Sequence, residues 1–217
     1  MITATYIDHM GTDLTVVNAA RVSFGKKREA LGTVTTNGVT NTVLHDTDQK
    51  LIKYLAKHKH MSPFGHAFAS FHIKAPIFVA RQLVKHKFLR WNEISRRYVD
   101  DEPVFYKPDV WRGRSEDKKQ GSEGVVDVGD WGDPNWACLT AYNDLLQHGV
   151  APEQARMVLP QSTMTEWYWS GSLDAFSDMC HLRLKADTQY ETRLVATSID
   201  SSMKDLFPIS WRALTNE

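Results

Sequence analysis

Apolar and polar residues follow two different periods along the chain, which predict strands in some segments and helices in others. Residues 68–74 alternate, with Phe71 and Ile73 on one side and polar side chains on the other, which is the pattern of a half-buried strand. Residues 2–7 and 163–169 also favour strands, since both segments are rich in β-branched or aromatic residues. The pattern therefore predicts several short strands.

Between these strands, apolar residues recur three and four positions apart, which is the spacing of a helix with one buried face. Capping residues and prolines mark where several of these helices begin and end. The predicted helices are 14–21 after the cap Asp13, a segment from Asp46 or Thr47 to His60, a segment from Pro76 through Lys87, a segment from Pro134 closed by Gly149, Pro152–Val158, a segment that Ser172 caps, and a last helix from Asp187 that ends before Pro208.

Two polar stretches rich in glycine interrupt this pattern. In the first, residues 25–43, the segments 33–36 and 39–43 flank an Asn-Gly pair that favours a tight hairpin turn. The second, residues 112–134, is charged as well as glycine-rich, which predicts an exposed loop or insertion and not a domain boundary.

The composition is that of a soluble globular protein. The chain has 217 residues, a length that predicts one domain over residues 1–217. Its 26 lysines and arginines balance 26 aspartates and glutamates, so the net charge is zero. No apolar run is near the length that spans a bilayer, and no signal peptide is recognised, so a cytoplasmic protein without a membrane partner is expected. Two cysteines, Cys138 and Cys180, make no disulfide framework, and both are interpreted as buried, inert thiols.

The most informative stretch is Lys85–Tyr98, which holds five lysines and arginines, one histidine and a single carboxylate. On a helix, Gln82, Lys85 and His86 share one face because they are three and four residues apart. The run is then expected to leave the helix and turn at residues 92–93. The helix end would bring cations and one acid to a single place, which suits a small polyanion such as a nucleotide phosphate.

Two alternatives for this basic run stay open, a solvated surface and a nucleic-acid patch. Against solvation, the cations alternate with Phe88, Leu89, Trp91 and Ile94, which favour burial. Against a nucleic-acid-binding protein, the zero net charge makes the positive field local. Trp91 would be the stacking platform if single strands were bound.

Three histidines, His58, His60 and His66, are close enough in sequence to suggest metal ligands. No carboxylate or cysteine lies nearby to complete a coordination set, so no metal is expected.

Several ordered blocks of the sequence resemble the flavin-dependent thymidylate synthase family. The family signature, Arg-His-Arg followed after seven residues by Ser, is present here as Lys85-His86-Lys87 and Ser95. The other blocks are Ala19–Phe24, His60–His66 in the form His-x-Ser-Pro-Phe-x-His, Ile73–Gln82, Ala155–Pro160, and Leu182-Arg183 with Ala186-Asp187, Gln189 and Glu191. The signature alone is moderately specific, whereas six blocks in order are strongly specific.

The resemblance implies an enzyme that methylates dUMP to dTMP, with methylenetetrahydrofolate as one-carbon donor and with FAD, reduced by NADPH, as hydride carrier. It implies an α+β fold in which helices pack a small, mainly antiparallel sheet, and a homotetramer whose active sites lie at subunit interfaces. Residues 25–43 and 112–134 look like insertions relative to the family, and no nucleic acid is expected as a partner.

The resemblance also assigns roles by position in the motifs. Arg183 is the expected catalytic residue, because a fixed cation beside the uracil raises electron density at C5. The residues expected to bind dUMP are Gln82, Lys85, Glu93, Ser95, Arg96, Arg97, Arg156 and Arg183. The residues expected to bind FAD are His60, Ser62, Lys85, His86, Lys87 and Glu93.

The sequence departs from the family pattern at three positions. Lys85 and Lys87 replace arginines, which keeps the charge but loses the bidentate fork. Asp174 stands where the family has the arginine of an Asn-x-Arg flavin contact, and it reverses a charge near a phosphate-bearing cofactor. FAD affinity is therefore the property that we expect to be most affected, and a dUMP-binding relative that has lost flavin chemistry is the alternative.

Overall fold

The fold is built on one four-stranded sheet in the part of the chain that this computed structural model describes, residues 1–36, 38–117, 121–129 and 132–216. The strands are β1 (Thr3–Met10), β2 (Gly32–Thr36), β3 (Val39–Val43), β4 (Phe68–Pro76), β5 (Leu89–Glu93), β6 (Trp111–Arg114), β7 (Ser122–Val126) and β8 (Met164–Ser172). The helices are α1 (Asp13–Arg21), α2 (Asp46–Lys57), α3 (Ile77–Leu83), α4 (Pro134–Gln147), α5 (Pro152–Ala155), α6 (Leu173–Arg183), α7 (Tyr190–Leu206) and α8 (Pro208–Thr215). Short 3-10 turns cover Val22–Phe24, Ser62–His66 and Arg156–Val158.

The central sheet has the strand order β1–β4–β8–β5, and every neighbouring pair is antiparallel. Phe71 and Ile73 on β4 lie opposite Trp169 and Trp167 on β8, and all four are buried on one face. Because side chains alternate along a strand, the polar residues between them lie on the other face. The predicted α+β class with a mainly antiparallel sheet is confirmed.

Helices cover the apolar face of this sheet and form the core with it. Phe176 on α6 contacts Phe71 and Trp169 edge-on, with ring centroids 5.3 Å and 5.5 Å away. Val195 on α7 and Trp211 on α8 are fully buried in the same cluster. Burying each such side chain contributes about 1.5–3 kcal/mol, so this packing fixes the ends of α6 and α7, which carry site residues.

Asp13 has a different role from the one that we predicted. Thr12 is the N-cap of α1, and its Oγ1 accepts from the backbone N–H of Leu14 at 3.3 Å. The buried carboxylate of Asp13 instead accepts from the N–H groups of Ile209 (3.0 Å) and Ser210 (2.8 Å) in the first turn of α8. The prediction that Asp13 caps α1 is wrong, and the carboxylate stabilises the N-terminus of α8.

The helix predicted to run from Pro76 through Lys87 is shorter in the structure. It ends at Leu83. Phe88 has a φ of +64°, and this residue is 84% exposed instead of packed on a helix face. This left-handed backbone turns the chain so that β5 pairs with β8, with Leu89 opposite Gly171. Residues 92–93, predicted as a turn, are the end of β5.

Both polar stretches contain hairpins. Strands β2 and β3 pair as predicted, although Asn37 of the predicted turn lies outside the described residues. Strands β6 and β7 also pair, so the prediction of a loop over residues 112–134 is wrong for the hairpin that this segment contains.

The helix predicted from Asp187 to before Pro208 is α7, so its predicted end is confirmed, whereas α8, which follows from Pro208, was not predicted. Pro208 cannot continue α7 because it lacks an N–H, but it suits the first position of α8. None of the described helices is long and apolar enough to cross a membrane.

Candidate active site

A cavity of about 720 Å³ opens between α3, the segment that joins α6 to α7, and the β6–β7 hairpin. Three of the predicted site residues line it: Gln82 in α3, Lys85 just after α3, and Arg183 at the end of α6. The volume is in the range of pockets that hold small ligands.

Arg183 is held at the cavity wall by two hydrogen bonds. Its Nε donates to Nε2 of His86 at 2.9 Å, and its Nη2 donates to the backbone oxygen of Gln82 at 3.0 Å. Burial lowers the pKa of Arg183 from its ordinary value, but an arginine remains charged at neutral pH. The cavity therefore has a fixed, partly buried cation in its wall.

His86 contributes to the cavity through Arg183. Burial and the neighbouring Arg183 charge lower the pKa of His86 to about 4. The imidazole is therefore neutral at physiological pH, and its unprotonated Nε2 accepts from the guanidinium. His86 orients Arg183 without adding a second positive charge.

Gln82 has its side-chain amide fixed by α7 and by the residue that precedes α7. Its Nε2 donates to Oε1 of Gln189 at 2.5 Å, and its Oε1 accepts from Oγ1 of Thr192 at 3.1 Å. Both Gln82 and Gln189 line the cavity, so this wall presents oriented amide groups.

The β6–β7 hairpin supplies a wall that sequence reasoning missed. Arg112 on β6 forms an ion pair with the buried carboxylate of Glu191 and lies over the ring of Tyr190, 4.3 Å from its centroid. Tyr106 also donates to Glu191 at 3.3 Å, and burial with the nearby Glu191 charge raises the pKa of Tyr106 to about 12. Glu191 belongs to a matched block, whereas nothing in the charged stretch around Arg112 signalled its role.

A close backbone contact positions the start of β7, the second strand of the hairpin. Gly121 has a φ of +89°, and a Cβ at this position would lie 2.9 Å from the backbone oxygen of Asp187. Only glycine therefore lets the hairpin approach the segment between Arg183 and Gln189 this closely.

The second group of predicted residues lies at the end of β5 and after it. Glu93 accepts from Trp91 Nε1 (3.0 Å) and Thr165 Oγ1 (2.6 Å). Arg97 donates from Nε to Ser95 Oγ at 3.1 Å. Further along, Arg96 donates to the backbone oxygen of Asp101, and the exposed Arg156 donates to that of Glu153.

These residues do not share the cavity with Arg183 in a single chain. None of the predicted contacts Glu93, Ser95, Arg96, Arg97 and Arg156 lines it. On one protomer, the residues predicted to bind dUMP therefore form two separate groups. Arg97 and Arg156, in the second group, are exposed to solvent.

The predicted flavin contacts His60, Ser62 and Lys87 are exposed. His60 follows the end of α2, where its ring stacks on Tyr54 with centroids 6.1 Å apart. Among the described residues, no group of three or more His, Cys, Asp or Glu side chains could hold a metal ion.

Asp174 and Cys180 both lie on α6. Asp174 is in the first turn of this helix, where it accepts from Ser172 Oγ at 2.5 Å, and a carboxylate there interacts favourably with the helix dipole.

Cys180 is fully buried, and burial raises the pKa of its thiol, so its interpretation as an inert core residue is confirmed. Cys138, predicted as buried, is only half-buried.

Comparison with known proteins gives consistent matches over nearly the whole chain. A family model described as thymidylate synthase complementing protein matches residues 5–209. A flavin-dependent thymidylate synthase of Thermus thermophilus is 39% identical over 215 residues, which are 95% of this chain and 73% of the relative. One of Kosmotoga olearia is 37% identical over 218 residues, which are 97% of this chain and 88% of the relative.

Solved structures also match. The crystal structure of a UMP/dUMP methylase, PolB from Streptomyces cacaoi, bound with 5-Br dUMP, has a TM-score of 0.79 and 29% identity. The match covers 100% of this chain and 95% of that chain. A structure of the same methylase bound with 5-Br UMP has the same TM-score and 28% identity.

Proposed function

Because the chain belongs to the flavin-dependent thymidylate synthase family, we propose that it methylates dUMP to dTMP in the cytoplasm, with methylenetetrahydrofolate as one-carbon donor and NADPH as reductant of FAD. The observation that carries the proposal is the convergence of Gln82, Lys85 and Arg183 on one cavity. Residues 1–217 act as one domain in this proposal.

Arg183 is the catalytic residue because its charge is fixed beside the cavity by His86 and the Gln82 carbonyl. A uracil bound there with its N3–C4–O4 edge towards the guanidinium is stabilised when that edge carries negative charge. This raises electron density at C5, the carbon that receives the one-carbon unit. A neutral His86 keeps the guanidinium in place without competing for the developing charge.

The phosphate of dUMP is held by Arg97 and Arg156, with Ser95 and neighbouring N–H groups as further donors. These residues do not line the cavity of their own chain, so a second protomer must supply them. One uridylate is then bound by Gln82 and Arg183 of one subunit and by Arg97 and Arg156 of another. This arrangement requires an oligomer, which we propose to be a homotetramer.

The residues that would hold FAD fit a cofactor with two phosphates. Lys85 and Lys87 are exposed cations in one short turn, and the exposed Ser62 hydroxyl adds a donor. His60, on its Tyr54 stack, offers a planar ring at the end of α2. When bound, FAD supplies the hydride that completes the methyl group.

Two measurements on the purified protein test the proposal. The absorbance spectrum should show bound flavin that bleaches with NADPH, and 5-tritiated dUMP should release tritium only when methylenetetrahydrofolate is present. A protein that binds dUMP tightly but cannot be reconstituted with FAD would instead be a dUMP-binding relative without flavin chemistry. The substitutions at Lys85, Lys87 and Asp174 motivate that second candidate.

A further inference from the structure

A second cavity, of about 590 Å³, lies between α2 and α8. It shares no lining residue with the cavity that contains Arg183. The proposed reaction gives it no role, and its chemistry differs from that of a solvated helix surface.

Four cations line this cavity: Lys53, Lys57, Lys59 and Arg212. No carboxylate lines it among the described residues, and within that part of the chain none of the four forms an ion pair. Since the whole chain has zero net charge, the excess is local.

Helix dipoles account for only part of this charge. Lys57 and Arg212 are in the last turns of α2 and α8, where cations are favourable. Each helix C-terminus carries roughly half a negative charge, so the two together offset about one of the four cations. A positive charge of about three remains around the cavity.

Lys59, which lines the cavity, has an unfavourable backbone conformation. It follows the C-cap of α2 with a φ of +58°, and its N–H donates to the backbone oxygen of Ala56 at 3.2 Å. Glycine is the usual residue at this position because a side chain in the left-handed region is strained. A strained residue that lines a cavity is often retained for function and not for stability.

The rest of the lining is suited to an organic group attached to the anion. Ala56, Ile209 and Ala213 give apolar surface, and Gln49 and Asn216 give amide donors and acceptors. The volume is in the range of pockets for small molecules and not that of an extended groove for a polymer.

We propose that this cavity binds a small molecule carrying a chain of phosphoryl groups, of the nucleoside triphosphate class. The cations neutralise the phosphates, and the apolar surface and amides contact the nucleoside. Because the cavity is separate from the one that contains Arg183, the proposal does not depend on the proposed reaction.

The test measures binding of dTTP, ATP and inorganic tripolyphosphate by calorimetry to the full chain saturated with dUMP, which occupies the first cavity. We expect binding that weakens with salt, and at least about a tenfold loss of affinity in the double variant Lys53→Glu/Arg212→Glu. The matched control, Lys26→Glu/Lys27→Glu, makes the same charge change at exposed residues outside the cavity and outside α2 and α8, and should bind as the unchanged protein does. Tighter binding of the nucleotides than of tripolyphosphate would show that the nucleoside is contacted, whereas equal binding would assign the site to the phosphates alone.

Lys59→Gly separates a binding role from a structural one. Removing the strained side chain should raise the melting temperature and weaken triphosphate binding, two effects of opposite direction. The proposal is overturned by no binding to the unchanged protein, by equal losses in the control, by unchanged affinity in both cavity variants, or by displacement of the triphosphate by single-stranded DNA at lower concentration.

Discussion

Nε of Arg183 donates to Nε2 of His86 across 2.9 Å, which joins the C-terminus of α6 to the basic signature after α3. The contact requires a neutral imidazole, since a protonated Nε2 could not accept. It explains why the signature histidine matters for the cavity although its own charge is absent at neutral pH.

The stability of the protein should depend on the protonation of His86. Its pKa is about 4 in the folded state, against about 6.5 when unfolded, so between these values the unfolded state binds more protons. Stability from this group is present above pH 6.5 and is lost as the pH falls towards 4. The melting temperature should therefore depend less on pH, between pH 4 and 7, for His86→Gln than for the unchanged protein. Equal dependence would contradict a neutral His86 in the folded state.

Replacing the catalytic arginine should strongly reduce turnover without unfolding the protein. Arg183→Ala removes the only group proposed to stabilise charge on the uracil, so we expect tritium release to fall by roughly 10²–10³-fold. The control Arg90→Ala, at an exposed residue outside the cavity, should retain activity. Near-normal release by Arg183→Ala would remove its catalytic role.

The hairpin wall should depend on the Arg112–Glu191 pair. Arg112→Met leaves the buried Glu191 carboxylate without its ion-pair partner, which we expect to destabilise the protein by about 3 kcal/mol and to raise the KM for dUMP. The double variant Arg112→Met/Glu191→Gln should recover much of the stability, because no charge is left unpaired. Denaturant unfolding of these two variants and of Glu191→Gln alone measures the coupling; a loss in the double variant equal to the sum of the two single losses would show that the two residues do not interact.

Asp174 should have two opposite effects: its charge should stabilise α6 and should weaken the binding of FAD. Asp174→Asn removes a negative charge from the first turn of this helix, so we expect a loss of about 0.3–1 kcal/mol in stability. The same change should tighten FAD binding, as measured by flavin fluorescence quenching. Unchanged FAD affinity would show that this carboxylate is not near the cofactor phosphates.

The strands and the main helices could be predicted because their periodicity decides which face is buried. The alternation at Phe71 and Ile73 correctly predicts the buried face of β4, and Pro208 correctly ends α7. The end of α3 could not be predicted, because the apolar Val84 and Phe88 continue the helical spacing. The pairing of β5 with β8, a contact between distant segments, overrides that local preference.

The candidate site was predictable only as far as its motifs extend. Gln82, Lys85 and Arg183 lie in matched blocks, and the structure brings them together. Arg112 could not be found, because its partner Glu191 is 79 residues away and its own segment is charged and glycine-rich. In the proposed oligomer, the position of Arg97 relative to Arg183 depends on a second protomer, which no pattern within one chain specifies.

The central claim is that one uridylate is bound between two protomers. Arg183→Ala and Arg97→Ala should each be nearly inactive at low dUMP, the first through chemistry and the second through binding. The two variants are co-expressed with different tags, and mixed oligomers are isolated. A site is then intact when the Arg97→Ala subunit supplies Arg183 and the Arg183→Ala subunit supplies Arg97. Random mixing makes about a quarter of the sites intact, so tritium release should return to about a quarter of the unmutated rate. Mixed oligomers with no more activity than either variant alone would contradict the shared site.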